Sequence, residues 1–231
     1  MLSDSKPITL ADKAYFNLRH DIVRGTFLPG SPLRLAELVE RYEMGFSPLR
    51  EALNRLQAER LVTSESLRGF RVAPLSLDEF EDSQATRLVI ETEALQLAIS
   101  KGDDHWASSI VAALYALKLQ VERQDGAPDI WALEERHHRF HRSLLEGCNS
   151  MWLLRFFESL YAATERFRIP ALLASSEKST RDIHAEHAAL AEATLARRGA
   201  EAADLLKEHY LRTANMIRVS MTGDLSESAP V

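Results

Sequence analysis

The sequence predicts a mainly α-helical chain in two parts: a short helix–helix–turn–helix unit closed by a β-hairpin, then a larger all-α antiparallel bundle. Three observations predict it. Apolar residues recur at helical spacing over most of the chain. Short extended runs bounded by turn residues occur only between residues 61 and 72. Charge is divided unevenly: residues 1–75 carry eleven Lys and Arg against nine Asp and Glu, and residues 76–231 carry seventeen against twenty-five. The net charge of −6 therefore joins a +2 part to a −8 part. Such asymmetry fits a nucleic-acid module attached to something else.

Each element follows from a local pattern. Over residues 11–24, Ala14, Tyr15, Leu18, Ile22 and Val23 lie close to one helical face, and Gly25 stops the helix. Pro29-Gly30-Ser31-Pro32 reads as a turn. A second helix at 35–42 presents Leu35, Leu38 and Val39 on one side, and Glu43-Met44-Gly45-Phe46 breaks it. Ser47 is placed to cap a third helix, with Pro48 at its first helical position. That helix runs to about residue 60 and buries Leu49, Ala52, Leu53 and Leu56. Residues 61–63 and 70–72 are extended and flank a turn at Arg68-Gly69. The order is that of a winged helix-turn-helix over residues 8–74.

Such a motif sets the start of its second helix in the major groove of double-stranded DNA. Ser47 and Arg50 fall there, on the side opposite the apolar one. Arginine suits bidentate reading of guanine O6 and N7, and the backbone N–H groups of a helix start can hold a phosphate. Arg34, at the start of the preceding helix, is placed for a phosphate contact. Arg68 and Arg71 bracket Gly69 at the wing tip, suited to phosphate or the minor groove. Singly these are also ordinary surface arginines; their joint placement points to DNA.

Pro74-Leu75-Ser76 is a junction, and the second domain occupies residues 77–222. Its helices are expected at about 77–101, 104–124, 129–147, 150–173, 176–198 and 200–221, separated by Gly, Pro and Asn breaks. Short loops between them make an antiparallel bundle. The Ser-rich tail after Gly223 is expected to be disordered.

Composition narrows the function classes. No apolar run approaches the roughly 18 residues of a membrane span, and the N-terminus lacks a signal-peptide layout, so the cytoplasm is the expected compartment. One cysteine, Cys148, permits neither an internal disulfide nor a Cys₄ or Cys₂His₂ zinc site. There is no P-loop, G-x-G-x-x-G or G-x-S-x-G.

Histidines are the informative feature of the bundle. Of eight, six fall at His137, His138, His141, His184, His187 and His209. His137 and His141 share a helical face with Glu134 one turn earlier; His184 and His187 sit on a second helix and His209 on a third. Bundles build metal centres from residues projecting inward from facing helices, and imidazoles suit Zn²⁺, Ni²⁺ or a similar divalent ion. Histidines on solvated faces would give the same spacing. A zinc protease is disfavoured, because the residue after His137 is His138, where H-E-x-x-H needs its glutamate.

The string Gly25-x-x-x-Pro29-Gly30, then Leu33, Leu38, Ser47-Pro-Leu-Arg-Glu-Ala-Leu53, Leu56, Glu59, Leu61-Val62 and Arg68-Gly69-Phe-x-Val72, resembles the GntR family of transcription regulators. One departure stands out: many members have Ser-Arg-Thr where this chain has Gly45-Phe46-Ser47. A base-reading arginine is thus replaced by Phe46, which implies a different operator or an apolar contact such as a thymine methyl. The bundle is similar to the FCD effector domain of the FadR-type subfamily, through Arg87-Leu-Val-Ile-Glu91, Phe140-His141, Leu144, Gly147-x-Asn149, Glu186-His187-x-x-Leu190 and Glu208-His209. The segment Arg136-His-x-x-Phe-His141 through Gly147-Cys148, with the PLREAL form, resembles CsiR-type repressors within it.

That resemblance implies a function. Many FCD domains bind a divalent metal through an aspartate four residues before the "FH" histidine, that histidine, and two more on later helices. By position His141, His187 and His209 match the histidines, and His137 stands at the aspartate position; Glu134, His138 or His184 are alternative ligands. An all-histidine set lowers the negative charge and favours an anionic further ligand. The implied effector is a small carboxylate, for instance a dicarboxylate such as glutarate, with Arg87 and Arg166 as its anchors. The expected protein is a homodimeric repressor on a short inverted repeat. The rival reading is a metal-dependent hydrolase or lyase with a regulatory N-terminal module.

Overall fold

A computed structural model of the chain describes residues 9–65, 69–122, 129–175 and 182–227. The described residues divide into two compact units, the first holding residues up to Ser76 with the short segment Glu165–Pro170, the second the remainder.

In the first unit, helix α1 (Leu10–Val23) begins at a reciprocal cap. Thr9 Oγ1 accepts from the Asp12 N–H, and the Asp12 carboxylate accepts from the Thr9 N–H, both at 3.1 Å. Ala14, Leu18 and Ile22 turn inward, and α1 packs on α3 (Phe46–Ala58) through Leu49, Ala52, Leu53 and Leu56. Helix α2 (Leu35–Tyr42) packs on α3 and ends on Glu43 in the left-handed region at φ 52°. The wing is a three-stranded antiparallel sheet, β1 (Pro32–Leu33), β3 (Gly69–Val72) and β2 (Val62–Glu65) in that order, with Val62 opposite Val72 and Leu33 opposite Phe70.

Three details of this unit differ from expectation. Ser47 does not cap α3: the cap position is Gly45, in extended backbone at φ −68°, ψ 166°, without a side-chain hydrogen bond. Pro48 is therefore the third helical residue, which costs no intrahelical bond because the first four N–H groups have no partner within the helix. The helix also stops at Ala58. The third strand β1 lies partly where a turn was expected, because a two-residue strand is too short to show alternation.

The second unit holds α4 (Leu77–Lys101), α5 (Asp104–Glu122), α6 (Ile130–Glu146), α7 (Met151–Ser175) apart from Glu165–Pro170, α8 (Ile183–Leu195) and α9 (Gly199–Glu227). Helix α5 packs on α6, α4 on α9 and α8 on α9, around a core that includes Leu95, Trp106, Ile110, Phe140, Leu144, Phe157 and Leu190. Gly102 allows the tightest approach: a Cβ there would stand 2.1 Å from the Trp106 ring. Helix α8 is shorter than the 176–198 expected, opening at Ile183 where the Asp182 side chain accepts from the Ala185 N–H; residues 176–181 lie outside the described ones. The expected disordered tail is corrected in part, since α9 continues past Gly223 to Glu227. Among the described residues no helix is long and apolar enough to cross a membrane.

Candidate DNA-reading surface and histidine cluster

On the first unit, Phe46, Ser47 and Arg50 are all exposed at the start of α3, Phe46 to 59%. The same end carries the helix-start N–H groups and their partial positive charge. Arg34 is exposed at the N-terminal end of α2 and pairs with Glu37 at 2.9 Å. Arg71 is half-buried, and its Nε donates to the Gly30 carbonyl at 2.9 Å, which fixes the base of the wing. Gly69 turns the chain at φ +76°, a conformation open to glycine without strain. Arg68 lies outside the described residues.

In the second unit, His137 and His141 on α6, His187 on α8 and His209 on α9 converge, with a ligand atom from each inside a 4.8 Å span. His141, His187 and His209 are buried and His137 is half-buried. His138 and His184 are outside this group among the described residues: His138 meets Glu158 at 2.8 Å and packs on Phe157. Glu134 is also outside it, accepting instead from the Tyr161 hydroxyl at 2.7 Å.

The surroundings decide which ring nitrogen each histidine offers. The Tyr161 hydrogen goes to Glu134, so the phenol oxygen accepts from His137 Nδ1 at 2.8 Å, which puts the ring proton of His137 on Nδ1. His209 Nδ1 donates to Glu186 Oε2 at 2.9 Å, and Glu186 is also held by Arg212 at 3.0 Å. The Tyr210 hydroxyl donates to Glu91 and accepts from Arg87 Nη2 at 3.0 Å, so it accepts from His141 Nδ1 at 3.4 Å. Burial first, then the neighbouring histidines and Arg87, hold the His141 imidazole well below its ordinary pKa and therefore neutral.

This donor set fits a divalent metal. His137 Nε2 and His141 Nε2 face each other at 3.1 Å, with the ring protons directed elsewhere. Two lone pairs that close repel unless a cation lies between them. Nitrogens bound at about 2.0–2.1 Å to one tetrahedral ion stand roughly 3.3–3.4 Å apart. The His137–His141 pair at 3.1 Å is close to that, and the cluster's 4.8 Å span would draw in for all four to bind one ion. A carboxylate behind a ligating imidazole is the usual way a protein fixes ring orientation.

Arg87 is buried next to this cluster. It forms an ion pair with Glu91, donates to Thr164 Oγ1 at 3.2 Å, and lies over the Tyr161 and Tyr210 rings at 4.8 and 4.5 Å. Arg166 falls in the first unit, where it donates to the Pro74 carbonyl at 3.3 Å and stacks on Phe167. Spacing reasoning missed Tyr161 and Tyr210 altogether. Glu186 and Glu91 appeared only as parts of family strings, where adjacency to His187 and Arg87 was the available signal.

The two units thus define a winged-helix DNA-binding head and a helical bundle with a buried polyhistidine centre. Residues 10–72 match "Bacterial regulatory proteins, gntR family" and residues 82–212 match "FCD domain". The chain is 37% identical over 211 residues to the HTH-type transcriptional repressor GlaR of Escherichia coli, covering 90% of this chain and 95% of that one. It is 35% identical over 226 residues to the HTH-type transcriptional regulator BphR of Paraburkholderia xenovorans, covering 94% and 91%. Among solved structures, E. coli McbR/YncC superposes with a TM-score of 0.75 at 19% identity, over 93% of this chain and all of that one, a likeness of fold. The chain belongs to the GntR family of DNA-binding transcription regulators, with an FCD domain. Its relatives are regulators, which sets aside the hydrolase or lyase reading.

Proposed function

We propose that this regulator is a repressor whose operator affinity is set by a small carboxylate bound beside a divalent metal, zinc or nickel, in the bundle. The observation that carries the reading is the convergence of His137, His141, His187 and His209. A divalent ion held there would supply a Lewis-acidic position for a carboxylate oxygen. Four neutral imidazoles leave the ion's charge uncompensated, which favours an anionic ligand. Arg87 is the nearby guanidinium that would meet a carboxylate, and a dicarboxylate such as glutarate would offer one carboxylate to the ion and the other to Arg87. Arg166, paired to Pro74, is the weaker anchor.

At the other end, Arg50, Ser47 and Phe46 would read bases from the start of α3, and Arg34, Arg68, Gly69 and Arg71 would hold phosphates or the minor groove. A homodimer would present two such heads to a short inverted repeat. A ligand that binds one arrangement of the heads better than another changes DNA affinity by that difference.

Metal content tests the reading directly. Elemental analysis of purified wild-type protein, with His187→Ala as control, is expected to give close to one divalent ion per chain in the wild type and a large loss in the variant. Wild-type protein that stays metal-free after exposure to zinc and nickel would overturn it.

A further inference from the structure

Building on the metal reading, we propose that Tyr161 and Glu134 act together as a positioning unit behind His137, fixing its proton on Nδ1 and so setting the affinity of the histidine cluster for a divalent ion. A neutral imidazole has two tautomers, and only the one with its proton on Nδ1 offers Nε2 to the cluster. A tyrosine hydroxyl alone does not choose between them, because it donates or accepts equally well. Glu134 makes the choice. Its carboxylate can only accept, it is buried, and it takes the phenol hydrogen at 2.7 Å. The phenol oxygen then accepts from His137 at 2.8 Å, and His137 Nε2 is turned toward His141 Nε2 at 3.1 Å. Were the phenol to donate to His137 instead, the imidazole proton would move to Nε2 and occupy the ligand direction. The negative charge of Glu134, relayed through one hydroxyl, also raises the basicity of His137 in a cluster otherwise made of neutral donors.

His209 and His141 are held differently among the hydrogen bonds described. His209 meets its carboxylate, Glu186, directly at 2.9 Å, with no hydroxyl between. His141 reaches Tyr210, but the carboxylate behind that phenol, Glu91, is shared with Arg87. At His137 the hydrogen bonds described set a phenol at Nδ1 and the Glu134 carboxylate behind that phenol.

The test compares wild type, Glu134→Leu and Glu134→Gln in two measurements. Long-range ¹H–¹⁵N spectra of the metal-free protein, labelled at histidine, report which ring nitrogen carries the proton. Competition with a chromophoric chelator reports zinc affinity. The proposal expects Nδ1–H at His137 in the wild type and a shift to Nε2–H in Glu134→Leu. It expects a loss of zinc affinity of about ten- to a hundredfold in that variant. Glu134→Gln keeps an acceptor oxygen and should recover part of both. A pure packing role would lower the thermal midpoint of Glu134→Leu yet leave both readouts unmoved. Unchanged tautomer and zinc affinity within twofold in Glu134→Leu would overturn the proposal and leave the metal reading standing. A wild type that binds no zinc would overturn both.

Discussion

At the residue scale, the buried ion pair Arg87–Glu91 dictates how the function of the bundle can be probed. Both side chains are buried, and Arg87 also holds Thr164 and Tyr210. Removing one member leaves the other charge without compensation, so Arg87→Met alone is expected to destabilise the protein by about 3–5 kcal/mol. The double variant Arg87→Met, Glu91→Leu should regain most of that, as measured by urea unfolding at pH 7. A single variant as stable as wild type would show that Glu91 does not depend on Arg87 for its charge. An effector test that truncates Arg87 alone would otherwise confuse unfolding with lost binding. The histidines themselves were legible in sequence, because intervals of three and four put side chains on one helical face. The phenols were not: Tyr161 lies 24 residues from His137, on another helix, and resembles any core aromatic. For Arg166, expected as a second carboxylate anchor, the sequence offered no signal of its hydrogen bond to the Pro74 carbonyl.

At the element scale, α1 carries the first unit's packing against the reading helix α3, and its reciprocal cap at Thr9 and Asp12 holds its start. Hydrogen bonds from Thr9 and then Arg55 draw the Asp12 carboxyl down to about 2. A folded-state value below the unfolded one gives stability that is present above about pH 4 and is lost as pH falls through 4 toward 2. Thr9→Ala should lower stability at pH 7 by about 1 kcal/mol. It should also flatten the acid limb of the stability profile, measured by denaturant unfolding from pH 7 to 2. An acid limb identical to wild type would show that the cap does not set it. Helix periodicity made α1 to α7 readable to within a few residues, because their buried faces recur at regular intervals. Ends were less readable. α3 starts from Gly45 rather than Ser47, since backbone conformation at a cap depends on the tertiary path of the chain. Strand β1 exists only through its partner β3, which no local pattern encodes.

At the scale of the whole molecule, the proposed function couples a DNA-binding head to an effector site in the bundle by thermodynamic linkage. A carboxylate that changes operator affinity by some factor must have its own affinity changed by DNA by the same factor, whatever path connects the sites. The two-part organisation was visible in the charge asymmetry and in motif strings spread over nearly the whole chain. The sign of the coupling was not, because it depends on the difference between two states of one sequence. The most direct measurement takes a duplex enriched from a random pool and determines the affinity of zinc-loaded protein for it by fluorescence anisotropy, with and without saturating glutarate and other short carboxylates. Wild type and Arg50→Ala are compared at fixed salt. The account predicts an inverted repeat bound by wild type, weakened by Arg50→Ala, and shifted at least about fivefold by one of the carboxylates. Affinity that is the same with every carboxylate, in protein shown to hold its metal, would contradict the coupling on which the account rests.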